Sequence, residues 1–407
     1  MYTIKKYLEE ANLLKAVIFD MDGVIIDSEP QHARAAVLAL EKYNVPLQVE
    51  YAYGFIGTTT LVMCQKMIED FHLDITPQEL WKANEESKAY LIRTEGYPVI
   101  PYIIKLMQNL HDNGMKLIIA SSSPSAAIES VMKTLKINSI FDGYISGMEM
   151  KRPKPAPDIF LAAALQLGVE PSECIVIEDS CHGVAAAEAA GITSVGFINP
   201  NSGNQDLSKA AMLVEGFEEV DYNFLQRVYQ RAHLEPVTIL TSEHCILREL
   251  SEEDIDTLCT IYAKPEVNSC LENYSHEPAI EKEKLLSYIK NVYPFYDFGL
   301  WGVFLKENHC LIGQCGVDYK HLDTEEVYEL SYLLTPEYQG MGYGREIILA
   351  CITYCFEILA LPKIIAVIDP ANTKSIQLAE CVGMLCTGEC MKNHKKYYRY
   401  EVINTKL

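Results

Sequence analysis

Two aspartates one residue apart, Asp20 and Asp22, follow the apolar run Val17, Ile18 and Phe19 and precede Gly23. Carboxylates this close are costly to keep ionised together unless a cation shares them. One can be a nucleophile and the other a general acid/base. Three other stretches end in groups of matching chemistry. Ser121 closes the apolar run 117–120 and could bind a phosphoryl oxygen. Lys154, in Lys-Pro-Ala-Pro-Asp, could neutralise phosphate charge. Glu178 and Asp179 close the run 175–177 and offer hard oxygen ligands suited to Mg²⁺. A nucleophilic carboxylate, a metal, a hydroxyl and a lysine make a phosphoryl-transfer set.

A second set lies in the C-terminal half. Tyr338, Gln339, Gly340, Met341, Gly342, Tyr343, Gly344 and Arg345 follow a strand pattern at 327–334 and precede a strong helix pattern at 344–359. A glycine-rich turn at a helix N-terminus exposes backbone N–H groups, and the helix dipole adds positive potential, so the turn suits a pyrophosphate. Glu329, inside the preceding strand, is a candidate base for an attacking ammonium, which must lose a proton. Asn372 and Ser375 follow the strand pattern 364–368 and suit either a helix cap or contacts to a cofactor arm.

The elements that must hold these groups are readable. From Lys15 to Phe197, β-rich runs at 16–19, 117–120, 175–177 and 194–197 alternate with helical patterns such as 156–167 and 184–190. That alternation predicts an α/β domain with a parallel sheet, whose strand C-termini are where ligands bind. Residues 30–98 read as helices only, an insertion over the sheet, and a last helix is expected at 217–232. The boundary falls near residues 231–236, dividing a domain over 1–232 from one over 237–407. In the second, a strand at 239–250, a helix at 251–262, strands at 300–304, 311–319, 327–334 and 364–368, and helices at 344–359 and 373–382 predict a mixed α+β domain.

Composition narrows the partners. Lys and Arg number 34 against 56 Asp and Glu, a formal charge of −22, which disfavours nucleic acid. No apolar run reaches the roughly 18–20 residues that span a bilayer, and the N-terminal stretch lacks a signal-peptide pattern. The 13 cysteines include the pairs Cys351/Cys355 and Cys386/Cys390 but no CxxC and no completed zinc set. Reduced thiols in a cytoplasmic protein without membrane partners are the expectation. Oligomeric state is not legible.

With these motifs in order, residues 13–230 resemble the haloacid dehalogenase superfamily, in its β-phosphoglucomutase-like branch with a helical cap. The resemblance implies a Rossmann-like domain in which Asp20 forms an aspartyl-phosphate and Asp22 is the general acid/base. It assigns Mg²⁺ to Asp20, the Asp22 carbonyl and Asp179, with Glu178 close by, and the transferring phosphoryl group to Ser121 and Lys154. Carbon–halogen displacement would leave Asp22, Glu178 and Asp179 without a role. The mutases carry a cap Arg for a second phosphate, and Gly57, Thr58, Thr59 and Thr60 supply none. His32 does match a mutase histidine. A phosphatase on a small phosphorylated metabolite, a sugar phosphate, is therefore preferred to a phosphomutase.

Residues 237–402 resemble GNAT acetyltransferases, in the branch that modifies ribosomal-protein N-termini. This implies acetyl-CoA as cosubstrate and an amine acceptor. Backbone amides from Gln339 to Gly344 would hold the pyrophosphate, and a splayed strand at 327–334 would polarise the thioester. Glu329 would be the base, with Asn372 and Ser375 on the CoA arm. Many relatives place a Tyr acid where this chain has Ala379; Tyr397, Tyr398 and Tyr400 are the alternatives. The rival expectation keeps one domain as a ligand-binding module. The cap and residues 267–298 are expected to set the two substrates.

Overall fold

The computed structural model describes residues 14–55, 60–269, 271, 275, 277–322, 325–392 and 395–405. The expectations placed on the N-terminal stretch and on Gly57, Thr58 and Thr59, and part of that for 267–298, fall outside them. Contacts divide the chain into two compact units, Met1–Ala232 and His233–Leu407. No helix among the described residues is long and apolar enough to cross a membrane.

In the first unit β1 (Ala16–Phe19) is fully buried. Four cap helices follow: α1 (Ser28–Glu41), α2 (Val49–Tyr53), α3 (Thr60–Phe71) and α4 (Pro77–Glu95). Then come α5 (Ile103–Asp112), β2 (Lys116–Ser121), α6 (Ser125–Leu135), β3 (Gly143–Ser146), α7 (Asp158–Leu167), β4 (Cys174–Glu178), α8 (Cys181–Ala189), β5 (Thr193–Phe197), β6 (Met212–Val214) and α9 (Tyr222–Ala232). The strands form one parallel sheet in the order β3-β2-β1-β4-β5-β6. Successive strand residues point to opposite faces. Val17, Phe19, Leu117 and Ile177 accordingly join one core with α5, α6 and α9, while Ala16, Ile18, Ile118 and Val176 join another with α7 and α8. The strand order reverses direction between β1 and β4, the crevice where open α/β sheets hold ligands.

The cap has its own small core of Ala36, Leu40, Ala52, Met67 and Leu80. Its entry and exit strands run side by side: Asp27 N–H donates to Pro98 O at 2.7 Å and Ile100 N–H to Ile25 O at 3.1 Å. Helix α4 starts with a capping box in which Thr76 and Glu79 satisfy each other's backbone amides.

The second unit carries β7 (Thr238–Thr241), β8 (Cys245–Arg248), α10 (Ile255–Tyr262), α11 (Pro265–Asn268), α12 (Pro278–Tyr296), β9 (Leu300–Leu305), β10 (Leu311–Leu322), β11 (Glu325–Leu334), α13 (Tyr343–Glu357), β12 (Lys363–Ile368), α14 (Thr373–Cys381), β13 (Leu385–Lys392) and β14 (Lys395–Ile403). These strands form a mixed sheet in the order β13-β14-β12-β11-β10-β9-β8-β7. The β11–β12 pair is parallel and joins at Glu329 with Ile365. That is the single register pair these two strands share, while β11 stays paired with β10 as far as Leu334.

Several expected elements change. The single strand at 239–250 is a hairpin, β7–β8, because Ser242 N–H donates to Cys245 O at 2.9 Å and turns the chain. The helix at 251–262 starts with a 3₁₀ turn, Glu252–Asp254, and becomes α-helical at Ile255. The helix expected from 217 begins at Tyr222, since Asp221 Oδ1 accepts from Phe224 N–H at 2.8 Å, and Phe217 and Val220 are buried ahead of it. Short β3 and β6, helix α12 and strands β13 and β14 were not anticipated.

Candidate active sites

In the first unit Asp20, Ser121, Glu178 and Asp179 are brought to one sheet edge because each lies at or just past the C-terminus of β1, β2 or β4. After Asp20 the chain makes a tight turn: Val24, Ile25 and Ile26 all direct their amides to Met21 O, and Gly23 N–H donates to Ile26 O. Gly23 has φ +85, and a Cβ there would lie 1.8 Å from Asp179 Oδ2. The turn needs glycine both for its left-handed backbone and for the approach of Asp179.

Lys154 Nζ donates to Asp20 Oδ1 and to Glu178 Oε1, each at 2.5 Å, and to Ala120 O at 3.3 Å. Both oxygens of Glu178 are engaged, Oε2 accepting from the amide and hydroxyl of Ser180 at 2.9 Å. Glu178 thus orients the lysine and the start of α8, and Asp179 faces the Gly23 turn. Asp22 Oδ2 accepts from the Ser123 hydroxyl at 2.6 Å and from the Ser121 hydroxyl at 3.3 Å. Ser121 also accepts from Ser123 N–H at 3.0 Å, so this fully buried hydroxyl fixes the loop that presents Ser123.

Three carboxylates, Asp20, Glu178 and Asp179, are buried here beside the buried ammonium of Lys154. Burial pushes Asp20 well above the usual carboxylate range; Lys154 opposes this, and Glu178 and Asp179 reinforce it. Burial and then Glu178 push Asp179 up to about 7, against the Ser202 hydrogen bond. Burial alone would lower Lys154, but Asp20 and Glu178 hold its pKa above the usual lysine range. This excess of buried negative charge and hard oxygen donors fits a divalent cation, which in the case of Mg²⁺ needs only one or two carboxylates beside its waters. No group of three or more His, Cys, Asp or Glu among the described residues makes a metal cage unaided.

Sequence reasoning missed several contributors. Ser123 contacts Asp22 directly. Asn199 Nδ2 donates to Gly23 O at 2.9 Å, and the Ser202 hydroxyl donates to Asp179, so the polar loop after β5 braces both acidic turns. From the cap, Lys88 acts electrostatically on His32 and Glu29. Burial, then Lys88, lower His32 to about 4, and Asp22 opposes them. The first three lie close to strand or turn signals; Lys88 carries no local signal.

In the second unit β11 leads through a 3₁₀ turn, Pro336–Tyr338, into the glycine loop. Gln339 ties this loop down, donating from Nε2 to Leu334 O at 2.8 Å and accepting from Lys374 Nζ at 3.1 Å. Gly340 and Gly342 take φ +76 and +93, and Gly342 caps α13. Among the described residues, the amides of Gly340, Met341, Gly342, Tyr343, Gly344 and Arg345 donate to no protein acceptor. Met341 and its neighbours thus offer main chain rather than side chain. Lys374, missed in the sequence, adds a cation beside them.

Glu329 is buried at the position where β11 pairs with β12. Lys320 Nζ lies 3.0 Å from its Oε2 and Lys392 Nζ 3.4 Å from its Oε1. Asn372 caps α14, its Oδ1 accepting from Ser375 N–H at 3.1 Å, while Tyr332 Oη donates to Ser375 O at 3.1 Å. Ala379 is fully buried, and Tyr400 Oη donates to Glu380 Oε1 at 3.1 Å.

The first unit is thus a parallel α/β sheet with acidic loops at its switch point, and the second a mixed sheet with a glycine loop leading into a helix. A family model described as haloacid dehalogenase-like hydrolase matches residues 14–191, and one described as acetyltransferase (GNAT) domain matches residues 244–385. The chain is 31% identical over 179 residues to fructose-1-phosphate phosphatase YqaB of Escherichia coli (strain K12), covering 44% of this chain and 94% of that protein. It is 30% identical over 189 residues to beta-phosphoglucomutase of Bacillus subtilis (strain 168), covering 45% of this chain and 83% of that protein. A GNAT-family acetyltransferase structure from Bacillus anthracis is 20% identical, covers 40% of this chain and 98% of its own, and has a TM-score of 0.36. The chain belongs to the haloacid dehalogenase-like hydrolases through its first unit, and its second unit matches the GNAT acetyltransferase domain over residues 244–385.

Proposed function

We propose that the first unit is a Mg²⁺-dependent phosphatase acting on a small phosphorylated carbohydrate through an aspartyl-phosphate. The observation that carries this reading is the Asp20–Lys154–Glu178 chain, with Asp22 held separately by Ser121 and Ser123. Lys154 fixes one oxygen of Asp20, so its other oxygen attacks phosphorus. Asp22 gives a proton to the departing alkoxide, then takes one from the water that hydrolyses the acyl phosphate. Asp20, the Asp22 carbonyl and Asp179 would hold a divalent cation, which would supply charge neutralisation for the phosphoryl group. The relative that is a fructose-1-phosphate phosphatase supports a sugar phosphate as substrate. Hydrolysis is favoured over mutase chemistry because the two cap arginines are engaged within the cap, Arg34 with Glu95 at 2.6 Å and Arg93 over the Tyr90 ring at 5.8 Å.

The second unit, in the same proposal, transfers acetyl from acetyl-CoA to an amine. The open amides at Gly340 to Arg345 bind the pyrophosphate, Glu329 takes the proton, and the seam of β11 and β12, which share a single register pair, admits the thioester. Asn372 and Ser375 border the CoA arm where α14 begins. The test is phosphate release from a panel of sugar phosphates with and without Mg²⁺, beside Asp20→Asn, and thiol release from acetyl-CoA beside Glu329→Gln. Each variant should abolish one activity and spare the other. Metal-independent release, or release surviving Asp20→Asn, would sink the phosphatase reading.

A further inference from the structure

We infer that the acetyl acceptor is a small amine that carries its own anionic group, a carboxylate or a phosphate, close to the amino nitrogen; this rests on the acetyltransferase reading above. Four charged side chains alternate in sign at the candidate base. Asp318 on β10 sits directly opposite Glu329 on β11. Lys320 Nζ lies between them, 3.0 Å from Glu329 Oε2 and 3.9 Å from Asp318 Oδ2. Lys392, on β13, approaches the other oxygen of Glu329 at 3.4 Å. Asp318 is fixed from the far side, its Oδ1 accepting from Tyr288 Oη at 2.7 Å, and Tyr288 in turn accepts from Leu300 N–H at 2.6 Å.

Bracketing a base with two ammonium groups makes little sense for the base alone. It fills the place a substrate ammonium must take. A purely cationic acceptor would meet Lys320 and Lys392 as like charges. An amine with no anion would displace Lys320 from Glu329 and leave that lysine to share Asp318, 3.9 Å away, with the incoming ammonium. An amine with a nearby anion meets neither obstacle. Its ammonium replaces Lys320 at Glu329 and Asp318, and Lys320 turns to the incoming anion, so the internal pairs of Lys320 are exchanged for pairs with the substrate. Lys320 suits this exchange, since its side chain is 35% exposed while those of Glu329 and Asp318 are 9% and 16% exposed. The ammonium then loses one proton to Glu329. The freed amine forms its bond to the acetyl carbon as the C–S bond breaks, and its second proton goes to the departing thiolate, giving the amide and coenzyme A.

The test uses matched probes that differ by one anion: L-serine against ethanolamine, and glucosamine 6-phosphate against glucosamine, with putrescine as the cationic extreme. Binding is measured by calorimetry on the full chain carrying Asp20→Asn, with coenzyme A present, so that the first unit does not remove the phosphate. The anion-bearing member of at least one pair should bind about tenfold tighter or more, the scale of one charge-assisted contact. The pair with the larger ratio tells carboxylate from phosphate. Lys320→Met should bring that ratio close to one, and Lys320→Arg should keep it. Equal affinities within both pairs, tightest binding of putrescine, or no binding of any probe would each overturn the inference. Acetyl transfer to putrescine alone keeps the transferase reading and overturns this one. A Lys320-dependent ratio without any acetyl transfer keeps the anion preference of the amine site and overturns the transferase reading, and with it the acceptor role.

Discussion

The ammonium of Lys154 lies 2.5 Å from the carboxylate of Asp20, although the two residues are 134 positions apart in the chain. Both are buried, and Lys154 opposes the upward push that burial gives to Asp20. Lys154→Met should therefore raise the Asp20 pKa further and remove the group that holds the nucleophile and faces the phosphoryl charge. Phosphate release should fall by about 10²–10³-fold, the scale of losing one preorganised donor. The fold should lose about 3–5 kcal/mol, because Asp20 and Glu178 would remain buried without their cation. Steady-state assays and urea denaturation check this, and unchanged turnover would remove Lys154 from the site.

The Gly23 turn yields a second expectation. Gly23→Ala adds a Cβ 1.8 Å from Asp179 Oδ2 at a residue with φ +85. Backbone strain alone costs about 1–2 kcal/mol. Gly168 is left-handed, with φ +64, and has no atom within 4 Å of where its Cβ would stand, so Gly168→Ala is the control for backbone strain. Only Gly23→Ala should lose phosphatase activity and Mg²⁺ response. Equal behaviour of the two variants would mean that the approach of Asp179 is not what the glycine protects.

Much of the first site was legible because its residues sit at strand ends. Asp20, Ser121, Glu178 and Asp179 each terminate or follow a buried apolar run, and a parallel sheet sends those ends to one edge. Lys154 was legible only through its sequence context, since it lies on a loop between β3 and α7. Ser123, Asn199, Ser202 and Lys88 were not, because their contributions depend on how loops and cap fold over the edge. In the second unit the glycine loop was legible from local conformation, while Asp318, Lys320 and Lys392 were not. Their meeting with Glu329 is set by cross-strand register and by a hairpin that local propensity did not indicate. Short β3 and β6 escaped because, unlike the fully buried apolar β1, each has a single buried residue and forms no buried apolar run.

His32 should titrate far from the ordinary imidazole value. Burial and then Lys88 lower it from 6.5 to about 4, with Asp22 opposing. A depressed value in the folded state means that the unfolded chain takes up the proton first as pH falls. The stability contributed by neutral His32 is thus complete above pH 6.5 and is lost as pH falls toward about 4. His32→Gln should flatten the fall in stability across that window. Denaturation at stepped pH and an NMR titration of the ring measure both effects. A ring midpoint near 6.5 in the metal-free chain would contradict this account.

Gly342 governs the second site in the way Gly23 governs the first, though for a different reason. It caps α13 with φ +93, and no atom would clash with an added Cβ. Gly342→Val therefore acts through the backbone, which a β-branched residue forces out of the left-handed region. That change turns the amides of Gly342, Tyr343 and Gly344 away from a common point, and the helix dipole then no longer reinforces them. Affinity for acetyl-CoA should fall by about tenfold or more, the scale of one lost charge-assisted contact, while Mg²⁺-dependent phosphate release is unchanged. Lys374→Ala should weaken acetyl-CoA more modestly and reduce the salt dependence of binding, because that lysine adds an exposed charge beside Gln339 rather than fixed amides. Calorimetry with acetyl-CoA at two ionic strengths separates the two effects. Wild-type affinity in Gly342→Val would show that the pyrophosphate does not sit on this turn.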